Sequence, residues 1–382
     1  MRLFIASGIF HPDSGGPATY LYRLLPELQA RGHDLRVLAN GDGPTAGYPY
    51  PLERIPSGPL PLRMARYARA YRRDAAWANL IYLNSLGLPR SGDRHKRRVM
   101  KVVGDYAWER SVNRGWISPT EDIDRFQTKR YGPVVEWLKA SRSREVQSMD
   151  RVIVPSEYLR QMVVGWGAKA ERVQVIYNAL DSAVYTAPMT RAEARQRLGW
   201  RPDGRYVITA ARLTAWKGVD SLIDALACIP HIELVVAGDG PQLAALKTHA
   251  AQRELAGRVL FLGNVPHAQL STYFRAADYL ALYSGYEGLS HTLLEALYTG
   301  TPVIASRKGG NPELIRHEEN GLLVDYPSLD ALVAALEYAF EDGRQERLAA
   351  NTSQGLDRFA WPTLVEQTVE TLLDVARKPS PR

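Results

Sequence analysis

Short runs of aliphatic and β-branched residues alternate with stretches of helical period along almost the whole chain. This pattern predicts parallel sheets covered by helices, an α/β architecture. In the first half the apolar runs predict strands near 3–7, 34–39, 80–84, 98–103, 152–155 and 173–176, with helices at 17–31, 62–76 and 130–149 among the connections. The alternation restarts in the second half, with strands predicted at 206–211, 232–237, 259–262, 279–282, 302–305 and 322–324. Between the halves, residues 178–205 hold an irregular stretch, a short Arg-rich helix and the turn-forming Pro202-Asp203-Gly204. They mark a hinge, so we expect two doubly wound domains, 1–184 and 185–361, with a final helix at about 362–378 packing back on the first.

Composition agrees with this division. A chain of 382 residues exceeds one ordinary core, and 45% hydrophobic with 23% charged residues suits a globular protein. No apolar run reaches the roughly 18–20 residues of a membrane span. The opening MRLFIASGIFHPDSGG does not read as a signal peptide, because polar His11 and Asp13 follow a short apolar stretch. Cys228 is the only cysteine, which points to a reducing compartment, and its place in SLIDALACI predicts a buried side chain. The net charge of +7 is unevenly spread: residues 60–145 hold 19 Lys/Arg against 9 Asp/Glu, +10, leaving −3 elsewhere. A basic first half implies an anionic partner.

In doubly wound sheets, ligands bind beyond the carboxyl ends of the strands, and four strand-to-helix loops carry suitable chemistry. In 7–17, Gly15 and Gly16 permit close backbone approach and precede a helix start whose free N–H groups suit a phosphate. In 211–218, Arg212 and Lys217 can together neutralise a diphosphate and stabilise the charge that builds on it as a leaving group. The run from Tyr286 to Leu297 is the most specific. Glu287 stands in the loop, Ser290 can cap the next helix, and Glu295 lies on that helix with seven residues intervening. Each carboxylate can accept hydrogen bonds from a vicinal diol, while Gly288 and the amides of Leu289 and Ser290 can meet phosphate. In 306–313, Gly309, Gly310 and Asn311 offer backbone N–H groups to sugar hydroxyls or phosphate, and Glu313 offers a carboxylate to the sugar.

Together with Pro155-Ser156-Glu157, Tyr177-Asn178-Ala179-Leu180-Asp181 and Gly238-Asp239-Gly240-Pro241, these loops resemble the family 4 retaining glycosyltransferases over nearly the whole chain, including bacterial surface-polysaccharide members. The resemblance implies a GT-B architecture of two Rossmann-like domains facing across a cleft, the first binding acceptor and the second the nucleotide sugar. It implies that Arg212 and Lys217 hold the donor diphosphate, Glu295 the ribose, and Glu287 the transferred sugar, with no divalent metal and no cofactor. Asp122-Ile123-Asp124 imitates a metal motif of another glycosyltransferase fold, but follows no predicted strand and is set aside. Many relatives carry a sugar-contacting His where this chain has Asp105, so Asp105 is expected to orient the sugar and stabilise positive charge at the anomeric carbon. Two routes to retention stand open: same-face attack with the donor phosphate taking the acceptor's proton, and a covalent intermediate on Glu287.

The expected reaction moves a hexose from a UDP- or GDP-linked donor to an acceptor hydroxyl, a lipid-linked glycan in cell-surface polysaccharide synthesis. In the helix 62–76, Arg63, Arg66, Arg69 and Arg73 share a face opposite Met64, Tyr67, Ala68, Tyr71 and Ala75. This suggests a cytoplasmic protein touching an anionic membrane, strengthened by Arg94-His95-Lys96-Arg97-Arg98; no nucleic-acid-reading module is visible. A small-molecule glycosyltransferase, an inverting transferase and a non-catalytic nucleotide-sugar-binding protein are the alternatives. A nicotinamide oxidoreductase would need Gly-x-Gly-x-x-Gly after the first strand, where the chain has Gly8…Gly15-Gly16.

Overall fold

The computed structural model describes residues 1–13, 16–181, 185 and 189–377, which form two compact units. Unit 1 (1–116, 130–177 and from 362 onward) holds β1 (Arg2–Ala6), α1 (Gly16–Ala30), β2 (Asp34–Asn40), β3 (Leu52–Ile55), α2 (Leu60–Trp77), β4 (Leu80–Leu83), β5 (Arg97–Lys101) and α3 (Tyr106–Asn113). After α4 (Ile123–Thr128), whose segment 117–129 clusters with unit 2, come α5 (Pro133–Gln147), β6 (Arg151–Val154), α6 (Glu157–Gly165) and β7 (Val173–Val175). The seven strands pair in parallel in the order β3-β2-β1-β4-β5-β6-β7. β3 was not foreseen, because its sequence LERI puts two charges into four residues between Pro51 and Pro56. As an edge strand it needs only β2 on one side.

α2 buries Tyr67, Ala70, Tyr71, Asp74 and Ala75. This corrects the expected faces: Met64 is exposed and Arg63 is half-buried, whereas Arg66 and Arg69 do face outward. Arg73 is tied down by Glu53 and Asp74, at 2.5 and 2.7 Å. Among the described residues no helix is long and apolar enough to cross a membrane.

Unit 2 (117–129 and 178–361) contains α7 (Arg191–Leu198), β8 (Tyr206–Ala210), α8 (Val219–Cys228), β9 (Glu233–Ala237), α9 (Leu243–Gln252), β10 (Val259–Gly263), α10 (His267–Ala276), β11 (Tyr279–Leu282), α11 (His291–Tyr298), β12 (Val303–Ser306), α12 (Asn311–Leu314), β13 (Gly321–Val324), α13 (Leu329–Ala339) and α14 (Arg344–Ala349). Its parallel sheet runs β10-β9-β8-β11-β12-β13. α15 (Trp361–Arg377) then returns the chain to unit 1. α8 buries Leu222, Ala225 and Leu226. Cys228 is exposed on the same helix, which corrects the buried position expected for it.

Unit 1 also buries a lysine. Lys101, at the end of β5, is 2% exposed and its Nζ has no hydrogen-bond partner among the described residues; it lies 3.7 Å from the centroid of the Tyr20 ring, whose hydroxyl meets that of Tyr82 at 2.8 Å. Burial lowers the Lys101 pKa to about 7 and raises that of Tyr20 to about 12. An unfolded lysine titrates near about 10.4, so between about 7 and 10 the unfolded chain binds the extra proton and stability climbs with pH. Above that window the tyrosines oppose it, because their folded forms hold their protons longer. Lys101→Met is expected to stabilise the protein at pH 7 by about 1–3 kcal/mol and to flatten the climb, read from urea midpoints between pH 7 and 9.5. An unchanged pH slope would exclude Lys101 as its source.

Candidate active site

The strand order of unit 2 reverses between β8 and β11, where open parallel sheets present ligand sites. The loops leaving these two strands carry Lys217 and Glu287, whose Nζ and Oε1 meet at 2.6 Å with both side chains largely buried. The approach depends on glycine. Gly218 ends the first loop at φ +66°, and a Cβ there would stand 1.9 Å from the Tyr283 carbonyl oxygen. Gly309, at φ +60°, would put a Cβ 2.0 Å from the Glu287 carbonyl oxygen. The loops are laced through their backbones: the Gly285 N–H donates to Trp216 O at 2.8 Å, the Gly310 N–H to Glu287 O at 2.9 Å, and the Leu213 N–H to Asp239 O at 2.9 Å.

Arg212, on the same loop as Lys217, is exposed to solvent and has no carboxylate partner among the described residues. Ser290 caps α11 through the Leu293 N–H, as its position predicts. The amides of Gly288, Leu289 and Ser290, at the positive end of the α11 dipole, donate to no backbone carbonyl among the described residues. Glu295, one turn into α11, is buried. Its Oε1 meets His267 Nε2 at 2.9 Å and accepts from the Tyr185 hydroxyl at 3.2 Å. Neither partner was foreseen. His267 stands alone after Pro266 on a different helix, and only the tertiary fold brings it to Glu295.

Several expected residues take other roles. The Gly310 N–H is spent on Glu287 O and the Asn311 N–H on Lys308 O, while the buried Asn311 side chain donates to Ser306. These two therefore hold their own loop against the Glu287 loop. Lys308 bonds Asp122 and Asp124, at 2.6 and 3.3 Å, so the acidic triplet forms ion pairs, and Asp122 caps α4. In unit 1, Gly15 lies outside the described residues, and Gly16 is the exposed first residue of α1. Asp105 departs furthest from expectation. It has no exposed surface, its Oδ1 caps α3 by accepting from the Ala107 and Trp108 N–H groups, and its Oδ2 pairs with buried Arg142. In this structure the carboxylate serves the fold, with no surface open to a sugar, in place of the exposed position its expected role requires.

Two family models match the chain: "Glycosyltransferase Family 4" over residues 14–184 and "Glycosyl transferases group 1" over 190–355. The lipopolysaccharide core biosynthesis mannosyltransferase LpsB of Rhizobium meliloti is 36% identical over 212 residues, 53% of this chain. The matched stretch is 59% of LpsB, so the chain spans about six tenths of that relative's length. Sucrose-phosphate synthase of Thermosynechococcus elongatus shares the fold, with a TM-score of 0.81 and 23% identity across 98% of this chain and 99% of that one. Anabaena HepE, solved in complex with UDP-glucose, superposes with a TM-score of 0.76 and 25% identity across 98% of this chain and 100% of that one. The chain therefore belongs to the glycosyltransferases, joining a family 4 first half to a group 1 second half in a GT-B fold.

Proposed function

We propose that the protein is a retaining hexosyltransferase, moving a sugar from a UDP- or GDP-linked donor to the hydroxyl of a lipid-linked glycan in cell-surface polysaccharide synthesis. The Lys217–Glu287 pair at the strand-order reversal, with exposed Arg212 on the Lys217 loop, is the observation that carries this reading. A diphosphate reaching the pair takes over the Lys217 ammonium and frees Glu287 to accept from sugar hydroxyls. Arg212 supplies a planar fork for two more phosphate oxygens, and the amides at the start of α11 add uncharged donors. Glu295 is held by His267 and Tyr185 through one oxygen, which leaves the other to a ribose hydroxyl. Mannosyl transfer by LpsB and the UDP-glucose of HepE support a hexose donor of this class.

Charge develops on the departing diphosphate, where Lys217 and Arg212 stabilise the transition state more than the ground state. We take attack to occur on the same face, an oxygen of the departing phosphate removing the acceptor's proton. A thermal-shift panel of nucleoside-diphosphate sugars should pick out one donor, and NMR of the product should show the donor's anomeric configuration. An inverted product sinks the retaining assignment. The two cations fill the place of a divalent metal, so activity is expected to survive EDTA. Loss of activity that Mg²⁺ restores would overturn that expectation.

A further inference from the structure

Parallel strands are usually joined by a crossover helix that covers the sheet. The β4–β5 connection, residues 84–96, contains none, and this leaves a groove between α2 and α5 in unit 1. Its cavity of about 980 Å³ is lined by six arginines against Asp93 and Glu145. Both acids are already engaged: Arg90 lies 3.5 Å from Asp93 and 3.7 Å from Glu145, and Arg98 lies 3.7 Å from Asp93. The Gly87 N–H also donates to Glu145, at 2.8 Å. Arg63, Arg94, Arg110 and Arg144 remain without a carboxylate partner among the described residues. The rim is apolar, with Leu60 51%, Met64 47% and Trp137 60% exposed.

We infer that this groove binds a phosphoryl group joined to an apolar chain, the phosphate-bearing part of an amphiphilic acceptor. The inference rests on the transferase reading, which it deepens by naming the acceptor's chemistry. Guanidinium forks match phosphate oxygens in pairs, and four uncompensated cations around one cavity are stabilised by an anion. Exposed Leu60, Met64 and Trp137 give an attached chain a surface to cover. The volume is that of a small-molecule site.

The test uses the full-length protein and three probes below their micelle concentrations: decyl phosphate, decyl maltoside and inorganic phosphate. Binding is read by calorimetry and by intrinsic tryptophan fluorescence, with Trp137→Phe assigning the signal. Decyl phosphate is expected to bind at least about tenfold more tightly than either other probe, and Arg63→Gln and Arg144→Gln each to weaken it about tenfold without moving the thermal midpoint. Equal binding of decyl maltoside would reduce the groove to a greasy surface and overturn the proposal. Equal binding of inorganic phosphate would overturn the apolar half, and no binding, or binding untouched by the arginine variants, would overturn all of it. Binding of UDP and GDP is measured in parallel. Its failure in the wild type would strike the donor site of unit 2 and the transferase reading, while the groove result would stand or fall on its own probes.

Discussion

Lys217→Ala is expected to lower kcat by about 10²–10³-fold while leaving the fold intact, because under the proposed function it removes one charged donor from a departing diphosphate. A donor serving only the ground state would raise KM alone; the loss is expected in kcat as well, since charge on the phosphate grows during bond cleavage. The variant also leaves the largely buried Glu287 without its 2.6 Å partner, a cost in stability separate from the chemistry. Adding Glu287→Gln checks the stability cost alone, because it also removes a proposed sugar-binding group: the double variant should recover the thermal midpoint. Lys217→Arg keeps the charge but replaces a compact ammonium by a broad fork within a loop pinned at Gly218, so partial rescue is expected. Wild-type kcat in folded Lys217→Ala would take the cation out of the reaction.

The strands and loops around this pair were readable because each carries a local signal. The buried strands of a parallel sheet are continuous apolar runs, and the glycines, cations and carboxylates stand immediately after them. Lys217 and Glu287, which the fold brings together, could be named from such positions. What stayed hidden depends on distance along the chain. His267 and Tyr185 lie 28 and 110 residues from the Glu295 they hold, and Lys308 lies 186 from Asp122. No periodicity records such pairings. β3 was hidden for a different reason, since an edge strand with charged residues lacks the apolar run that marks its neighbours. Asp105 shows the reverse ambiguity. A carboxylate just after a strand has the same local appearance whether it faces a substrate or a buried arginine, and only the position of Arg142, 37 residues on, separates the two.

That separation can be measured. Asp105→Ala removes an N-cap, costing about 1 kcal/mol, and strands the buried Arg142, which lies 4.0 Å over the Trp166 ring, costing about 3–5 kcal/mol. Losses of that size approach the whole stability of many domains, so little folded protein is expected at 37 °C. Asp105→Asn keeps an oxygen able to accept from the Ala107 and Trp108 N–H groups and loses only the charge, so urea midpoints should place it between alanine and wild type. Arg142→Met then removes the stranded cation while an unbranched side chain continues to cover Trp166, and the Asp105→Asn/Arg142→Met pair should regain most of the lost stability. Turnover decides the role. If the carboxylate acts through the fold, the doubly substituted protein, assayed below its melting transition, turns over at a rate close to wild type. A fully folded double variant that binds donor normally and has lost almost all turnover would return Asp105 to the reacting sugar, and the ion pair seen here would then have to open during each catalytic cycle.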